Sequence, residues 1–304
     1  MTEQRRKEMD QHDNDILPIL LDALEASMEV VGTYQGGHLP SDIEHKADNT
    51  IVTVADKASE SAAAAILQER LTGFDFHFEE RGQVGNAESR YSVWVDPLDG
   101  TAPFANGANT STVIIAVNDN ERKRVTHCLV GEPGVTGKIW YAIEGQGTEI
   151  IDRLDFSDQD HPARVWDGTL NPKSGVLLDL YPDFRGKGYE ALSNEEQHKL
   201  FSLLFGKAQI RMLGSNGYHH ALVANGGEGM AGAITVAYGG PWDCAPVLLV
   251  LEAGGAARAF STDGQYFIEQ HPLDVMSYRF LVTGNNQETV DTLSTALFEL
   301  RPLK

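Results

Sequence analysis

The chain has 304 residues, 41% of them hydrophobic, enough to bury a core in one large or two small domains. Its 44 acidic side chains against 24 Lys and Arg leave a formal charge of −20, which argues against a nucleic-acid polymer as partner, because phosphates need basic groups. The 30 Gly and 12 Pro are too few for a low-complexity chain, and Cys128 and Cys244 cannot staple one this long, so a reducing compartment is expected.

Residues 1–14 are highly charged and read as a flexible tail, with no apolar stretch of the signal-peptide kind behind them. A helix is expected over 16–31, where Leu17, Ile19, Leu20, Leu21, Leu24 and Met28 share one broad face, and the glycines at 32–37 break it. Residues 50–55 are β-branched and strand-like and lead into Asp56, after which 57–71, with four consecutive Ala, favours a helix. Alternation over 74–78 predicts a strand, apolar runs at 92–95 and 111–117 predict two more, and 127–130 and 138–143 read as antiparallel neighbours.

The Asp- and Pro-rich stretch 152–173 marks an excursion or a domain junction, dividing the chain into an N-terminal half, 15–152, and a C-terminal half, 153–304. The second half is expected to hold strands at 176–180, 233–238 and 280–284. Helical segments are expected at 194–205, 214–225, 244–253 (stopped by Gly254 and Gly255) and 288–300. The longest apolar run, 245–251, is too short to span a bilayer, so a cytoplasmic protein with no membrane partner is expected. Sheets and helices alternate in a way that predicts an α/β (α+β) fold of stacked layers.

The chemistry gathers at residues 94–101, TrpValAspProLeuAspGlyThr. Asp96 follows an apolar strand, and Pro97, with its fixed φ and no N–H, is expected to turn the chain at once. That turn would bring Asp99 beside Asp96, with the Leu98 carbonyl facing the same point. Carboxylates so placed repel one another unless a hard cation lies between them, and oxygen ligands suit Mg²⁺, Mn²⁺ or Ca²⁺ rather than Zn²⁺. Gly100 and Thr101 offer N–H groups to a phosphate at a short helix start. Asp-Pro and Asp-Gly are also ordinary turn dipeptides, so the segment needs partners. Glu79 and Glu80 follow a strand directly. Asp56 ends ThrValAlaAsp and Asp243 stands at the mouth of an apolar helix, both of them positions equally suited to capping.

These four motifs stand in order: 52–56, 79–80, 96–101 with Phe104, and 242–245 through 252–255. In that order the sequence resembles the inositol monophosphatase superfamily of metal-dependent, lithium-sensitive phosphatases, which includes fructose-1,6-bisphosphatases and 3′(2′),5′-bisphosphate nucleotidases. The resemblance implies a layered α-β-α-β-α fold with two or three Mg²⁺ ions. Glu79, Asp96 and the Leu98 carbonyl would hold one, Asp96, Asp99 and Asp243 a second, and Glu79 with Glu80 a third through water. Thr101 paired with Asp56 would orient and deprotonate the attacking water, with Glu80 assisting. Asp99, Gly100, Thr101, Gly214, Ser215, Asn216 and Asp243 would contact substrate.

In the inositol-specific branch an acid stands seven positions before the last metal Asp; here that position is Val236, with Tyr238 close by, which speaks against inositol monophosphate itself. His219 and His220 read as core or helix-surface residues. Lys46 stands where the family has a mobile basic residue, and is equally a surface lysine. Arg185, Lys187 and Arg211 are the nearest candidates for a second phosphate, with ordinary surface charge the simpler account. The expected function is a Mg²⁺-dependent phosphomonoesterase using metal-activated water on a small sugar, polyol or nucleotide phosphate, as a homodimer. The alternatives are a bisphosphate nucleotidase, a fructose-1,6-bisphosphatase, or a phosphate-ligand sensor without turnover.

Overall fold

A computed structural model describes residues 3–35, 43–45, 51–134, 137–154, 160–180, 192–227, 229–236 and 240–304. Lys46, Arg185, Lys187 and Tyr238 lie outside them.

The chain opens with α1 (Glu3–Tyr34), longer than the expected 16–31. Its added residues at the N-terminal side include Glu, Gln, Arg, Lys and Met over 3–9, all good helix formers. Short strands β1 (Ile43–His45) and β2 (Ile51–Thr53) pair antiparallel and lead into α2 (Val54–Arg70). The strand expected over 50–55 stops at Thr53 because Thr53 and Asp56 form a reciprocal capping box that starts the helix there.

There follow β3 (Asp75–Phe78), β4 (Gly82–Val84), β5 (Tyr91–Asp99), the short α3 (Thr101–Ala105), β6 (Thr112–Asp119), β7 (Arg124–Gly131), β8 (Ile139–Ile143), β9 (Gly147–Ile151) and β10 (His161–Pro162). Eight of these strands form one sheet in the order β10-β9-β8-β7-β6-β5-β3-β4, in which only β3 and β5 run parallel. The Asp- and Pro-rich stretch therefore supplies an edge strand to this sheet.

The remaining elements are β11 (Gly175–Asp179), α4 (Asn194–Leu204), β12 (Gln209–Arg211), α5 (Asn216–Ala224), β13 (Met230–Val236), a 3-10 turn at Pro241–Asp243, α6 (Val247–Glu252), β14 (Ala256–Thr262), β15 (Phe267–Gln270), β16 (Phe280–Gly284) and α7 (Gln287–Phe298). They build a six-stranded sheet in the order β12-β11-β13-β16-β14-β15.

Alternation along the strands decides the layering. In the first sheet Val93, Val95, Val113, Ile115 and Leu129 point one way, onto Leu20, Leu24 and Met28 of α1 and Ala63 and Leu67 of α2. Gly131 lets Met28 lie directly on β7, since a Cβ there would collide with its sulfur. Truncating a fully buried contact such as Leu24 to Ala would cost about 2–5 kcal/mol. Trp94, Ile114, Val130 and Trp140 point the other way, onto α5 and α6, which also cover Leu177, Ala233, Ala259 and Leu281 of the second sheet. That sheet's far face, with Leu178, Ile234, Phe260 and Val282, packs on α4 and α7. Five layers, α-β-α-β-α, result. Among the described residues no helix is long and apolar enough to cross a membrane.

Candidate active site

The acidic residues meet where β5 leaves the first sheet beside the N-terminus of α5. Residues three apart on a regular strand face opposite sides. In β5, Asp96 pairs with Ile114 and Asp99 with Thr112, so one extra residue is fitted into β5 between them. Pro97 and Leu98 occupy this irregularity, where the missing Pro97 N–H breaks no ladder bond. Pro97 therefore does not turn the chain at once, as expected; the strand continues to Asp99. The extra residue resets the alternation and returns Asp99 to the side of Asp96. Oxygens of Asp96, Asp99 and Asp243 lie within 4.8 Å of one another, all three residues buried. Asp243 reaches the cluster from the end of the 3-10 turn, where it also accepts the Gly240 N–H at 3.3 Å, so it caps and converges at once.

Glu79 is held by its own N–H, which donates to the Val95 carbonyl at 3.1 Å, and its side chain is hydrogen-bonded to Asp96. Burial, then the negative charges of Glu79, Asp99 and Asp243, keep the Asp96 carboxyl well above the usual carboxylate range. Asp99 is pushed up to about 6, by burial first; the Ser215 hydroxyl works against the shift and Asp243 adds to it. A buried set of mutually repelling oxygen donors with no nitrogen or sulfur among them fits a hard divalent cation such as Mg²⁺.

Thr101 Oγ1 lies 3.0 Å from both Asp56 Oδ1 and the Leu98 carbonyl. The other Asp56 oxygen accepts the Thr53 N–H at 2.7 Å and the Thr53 hydroxyl at 2.6 Å, so Asp56 caps α2 and faces Thr101 together. Burial raises the Asp56 carboxyl to about 6, against the hydrogen bonds from Thr53.

Helix α2 presents two more groups close behind Asp56. Ser59 donates to the Pro97 carbonyl at 2.8 Å, and Glu60 accepts the Glu80 N–H at 2.7 Å while pairing with Arg81 at 3.2 Å. Glu60 is fully buried.

On the α5 side, Asp99 Oδ1 accepts the Asn216 N–H at 3.1 Å, and Oδ2 accepts the Ser215 hydroxyl at 2.6 Å, the Gly217 N–H at 2.7 Å and the Thr112 hydroxyl at 2.9 Å. The Ser215 hydroxyl and the Asn216 backbone, expected to face substrate, are thus engaged on Asp99. Gly214 packs its carbonyl against Gly100, where a Cβ would come within 2.9 Å of it and the backbone has φ +83. That close approach is what requires glycine at 100.

Asp179, at the C-terminal end of β11, was not singled out in the sequence. It is buried, takes a hydrogen bond from the Asn216 side chain, and feels the charges of Asp243 and Asp99. Burial first, then Asp243, raises its carboxyl well above the usual range. The signal was present: ValLeuLeuAsp ends an apolar strand just as TrpValAsp does at Asp96. Ser59, Glu60 and Thr112 carried no comparable signal, since each acts through a partner distant in sequence. His219 and His220 are buried; His219 accepts the Leu213 N–H at 3.2 Å. Arg211 is exposed and bonds Gln209 at 3.1 Å.

Five alternating layers, with a buried acidic cluster where β5 leaves the first sheet, define a layered α/β fold. The model of the inositol monophosphatase family matches residues 13–299, and the chain belongs to that family. It is 28% identical over 203 residues to the bifunctional phosphatase IMPL2 of Arabidopsis thaliana, a match covering 66% of this chain and about half (52%) of that protein. Over 246 residues it is 28% identical to inositol monophosphatase 3 of Solanum lycopersicum, covering 79% and 84% of the two chains. The crystal structure of the extragenic suppressor protein suhB from Bartonella henselae superposes with a TM-score of 0.74 at 20% identity, over 93% of this chain and 98% of that one.

Proposed function

We propose that the protein is a Mg²⁺-dependent phosphomonoesterase acting on a small sugar, polyol or nucleotide phosphate. The observation that carries this is the convergence of Asp96, Asp99 and Asp243, with Glu79 on Asp96, in one buried cluster. Glu79, Asp96, Asp99, Asp243 and the Leu98 carbonyl are the groups that would hold Mg²⁺, which would supply positive field against the substrate's charge and acidify water at the site.

The chain's own residues then have defined tasks. With its proton donated to Asp56 Oδ1, the Thr101 oxygen turns lone pairs outward and can accept a hydrogen bond from water, orienting it. Asp56, raised to about 6, is matched to accepting a proton near neutral pH. Thr53 fixes the other Asp56 oxygen, so the carboxylate cannot rotate away from Thr101. Ser59 and Glu60 hold the Pro97 and Glu80 backbone against α2, keeping the two acidic segments in fixed relation. The first turn of α3 has no side chain capping it, so its N–H groups are available to phosphate oxygens.

A panel of phosphate esters covering polyol, sugar and nucleotide monophosphates, assayed for phosphate release with and without Mg²⁺, tests the proposal. Metal-dependent turnover of at least one ester is expected; none on any member sinks it.

A further inference from the structure

Residues Glu79–Arg81 form the turn of the hairpin β3–β4, which closes where Phe78 pairs with Gly82. Strand β4 is exposed along its whole length and pairs with β3 alone, at the edge of the first sheet. Three ladder pairs are thin support for a turn that must hold Glu79 on Asp96, because exposed edge hydrogen bonds open first.

One buried acid ties the two strands together. Phe76 and Phe78 face α1 and α2, so alternation turns Asp75 and His77 to the opposite face of β3. Gln83, opposite His77 in register, joins them there. Asp75 Oδ2 accepts the His77 Nε2–H at 2.8 Å and the Gln83 Nε2–H at 2.7 Å, one bond along its own strand and one across the hairpin. The residue is only 2% exposed. Its other oxygen, Oδ1, is buried without a partner among the described residues, and Gly85 passes so close that a Cβ there would lie 3.1 Å from it. An acid buried with one oxygen unused does not favour stability, and a β-branched apolar residue would suit the strand better. Breaks of this kind gather where geometry serves function.

The geometry served here is that of Glu79. On the α2 side, Glu60 accepts the Glu80 N–H and pairs with Arg81. Asp75 fixes the strands from the opposite face, so the hairpin is pinned on both. Neither contact passes through the Glu79 side chain, which bonds Asp96.

We propose that Asp75 is a positioning residue for the metal-binding acids: through His77 and Gln83 it holds the β3–β4 hairpin in the arrangement that delivers Glu79 to Asp96. Asp75 itself touches neither metal nor substrate, and its role rests on the Mg²⁺-dependent reading of the same site.

The test follows the rise in melting temperature of the full-length protein with Mg²⁺, without substrate, so that no turnover enters the readout. Asp75→Val removes both bonds and suits a buried strand position. Metal-free, it should melt at or above the wild-type temperature, while the Mg²⁺ concentration giving half the rise should increase about 10-fold. Gln83→Leu, at an exposed position, removes only the bond across the hairpin and should raise that concentration about 3-fold. Asp75→Asn keeps an oxygen that can accept both bonds and should restore the wild-type value. A wild-type Mg²⁺ midpoint in Asp75→Val, with or without a lower melt, overturns the proposal by making Asp75 a structural residue. Should Asp75→Val not fold, Gln83→Leu decides, and an unchanged midpoint there overturns the proposal. A wild-type melt that Mg²⁺ leaves unmoved overturns the metal reading together with this one. A wild type that responds to Mg²⁺ but hydrolyses no ester fails the phosphomonoesterase reading alone, and the midpoints still decide the role of Asp75.

Discussion

The Ser215 hydroxyl donates to Asp99 Oδ2 at 2.6 Å, joining residues 116 apart in sequence and the first sheet to the helix layer between the sheets. The same oxygen of Ser215 accepts the Tyr218 N–H at 3.2 Å and caps α5. Ser215→Ala removes a charge-assisted bond and a cap together. The expected cost is about 2–3 kcal/mol in unfolding free energy, and a fall in turnover larger than the fall in substrate affinity, because Asp99 loses its set direction. Denaturant melts and steady-state kinetics check this; an unchanged melt would show that the Asn216, Gly217 and Thr112 donors suffice.

Asp96→Asn removes a negative charge from between Glu79, Asp99 and Asp243. Without metal the variant should melt at or above the wild-type temperature, while phosphate release falls by at least about 10³-fold. The added rise of the melting temperature on addition of Mg²⁺, present in the wild type, should shrink strongly. A variant that keeps near-normal turnover contradicts the metal role given to Asp96.

Thr101→Ala leaves Asp56 capping α2 through Thr53 but takes away the group between Asp56 and the Leu98 carbonyl. We expect kcat to fall by about 10²–10⁴-fold with the Mg²⁺ dependence of the rate little moved. A Mg²⁺ titration that shows only weaker metal affinity, with kcat restored at saturation, would assign Thr101 to metal holding.

The pH dependence of stability has two opposed parts. Burial lowers His219 to about 4 and His220 to about 3, from the ordinary 6.5. The unfolded chain therefore takes up these protons first, and the stability the histidines contribute above pH 6.5 is lost as pH falls toward 4. Asp56 and Asp99 are raised from 3.8 to about 6, so the folded chain takes up their protons first. Their contribution is full below pH 3.8 and disappears as pH rises through 6. Between pH 6.5 and 4.5 these carboxyls, joined by Asp96 and Asp179, which burial also raises, outweigh the two histidines in the metal-free protein, whose stability should hold or rise as pH falls. Saturating Mg²⁺ removes the Asp99 share, and the acid limb should steepen. Thermal melts across this range with and without Mg²⁺ check the difference; a metal-free decline as steep as the loaded one contradicts it.

The layers were legible because strand alternation and helix periodicity are local. Val93 and Val95 against Trp94 already divide the first sheet's two faces. Asp56, Asp96, Asp99 and Asp243 were likewise legible, since each ends an apolar segment or stands in a distinctive short motif, whereas the pairing of Asp56 with Thr101 came from the family resemblance alone. The ladder irregularity at Pro97 was not, because one extra residue in a strand shows only against its partner β6. Nor was the engagement of Ser215 and Asn216 on Asp99, which depends on two segments over 100 residues apart meeting with complementary donors and acceptor. Asp179 obeyed the strand-end rule, and only the placement of β11 beside β13 gives that rule a destination.

Helix α2 grips one half of the acidic centre through Asp56, Ser59 and Glu60, whereas Asp179 arrives from the opposite sheet on a strand that α2 never meets among the bonds described. The scaffold is therefore modular in the engineer's sense: β11 can be rewritten while the Asp56–Thr101 side stays clamped to its own rod.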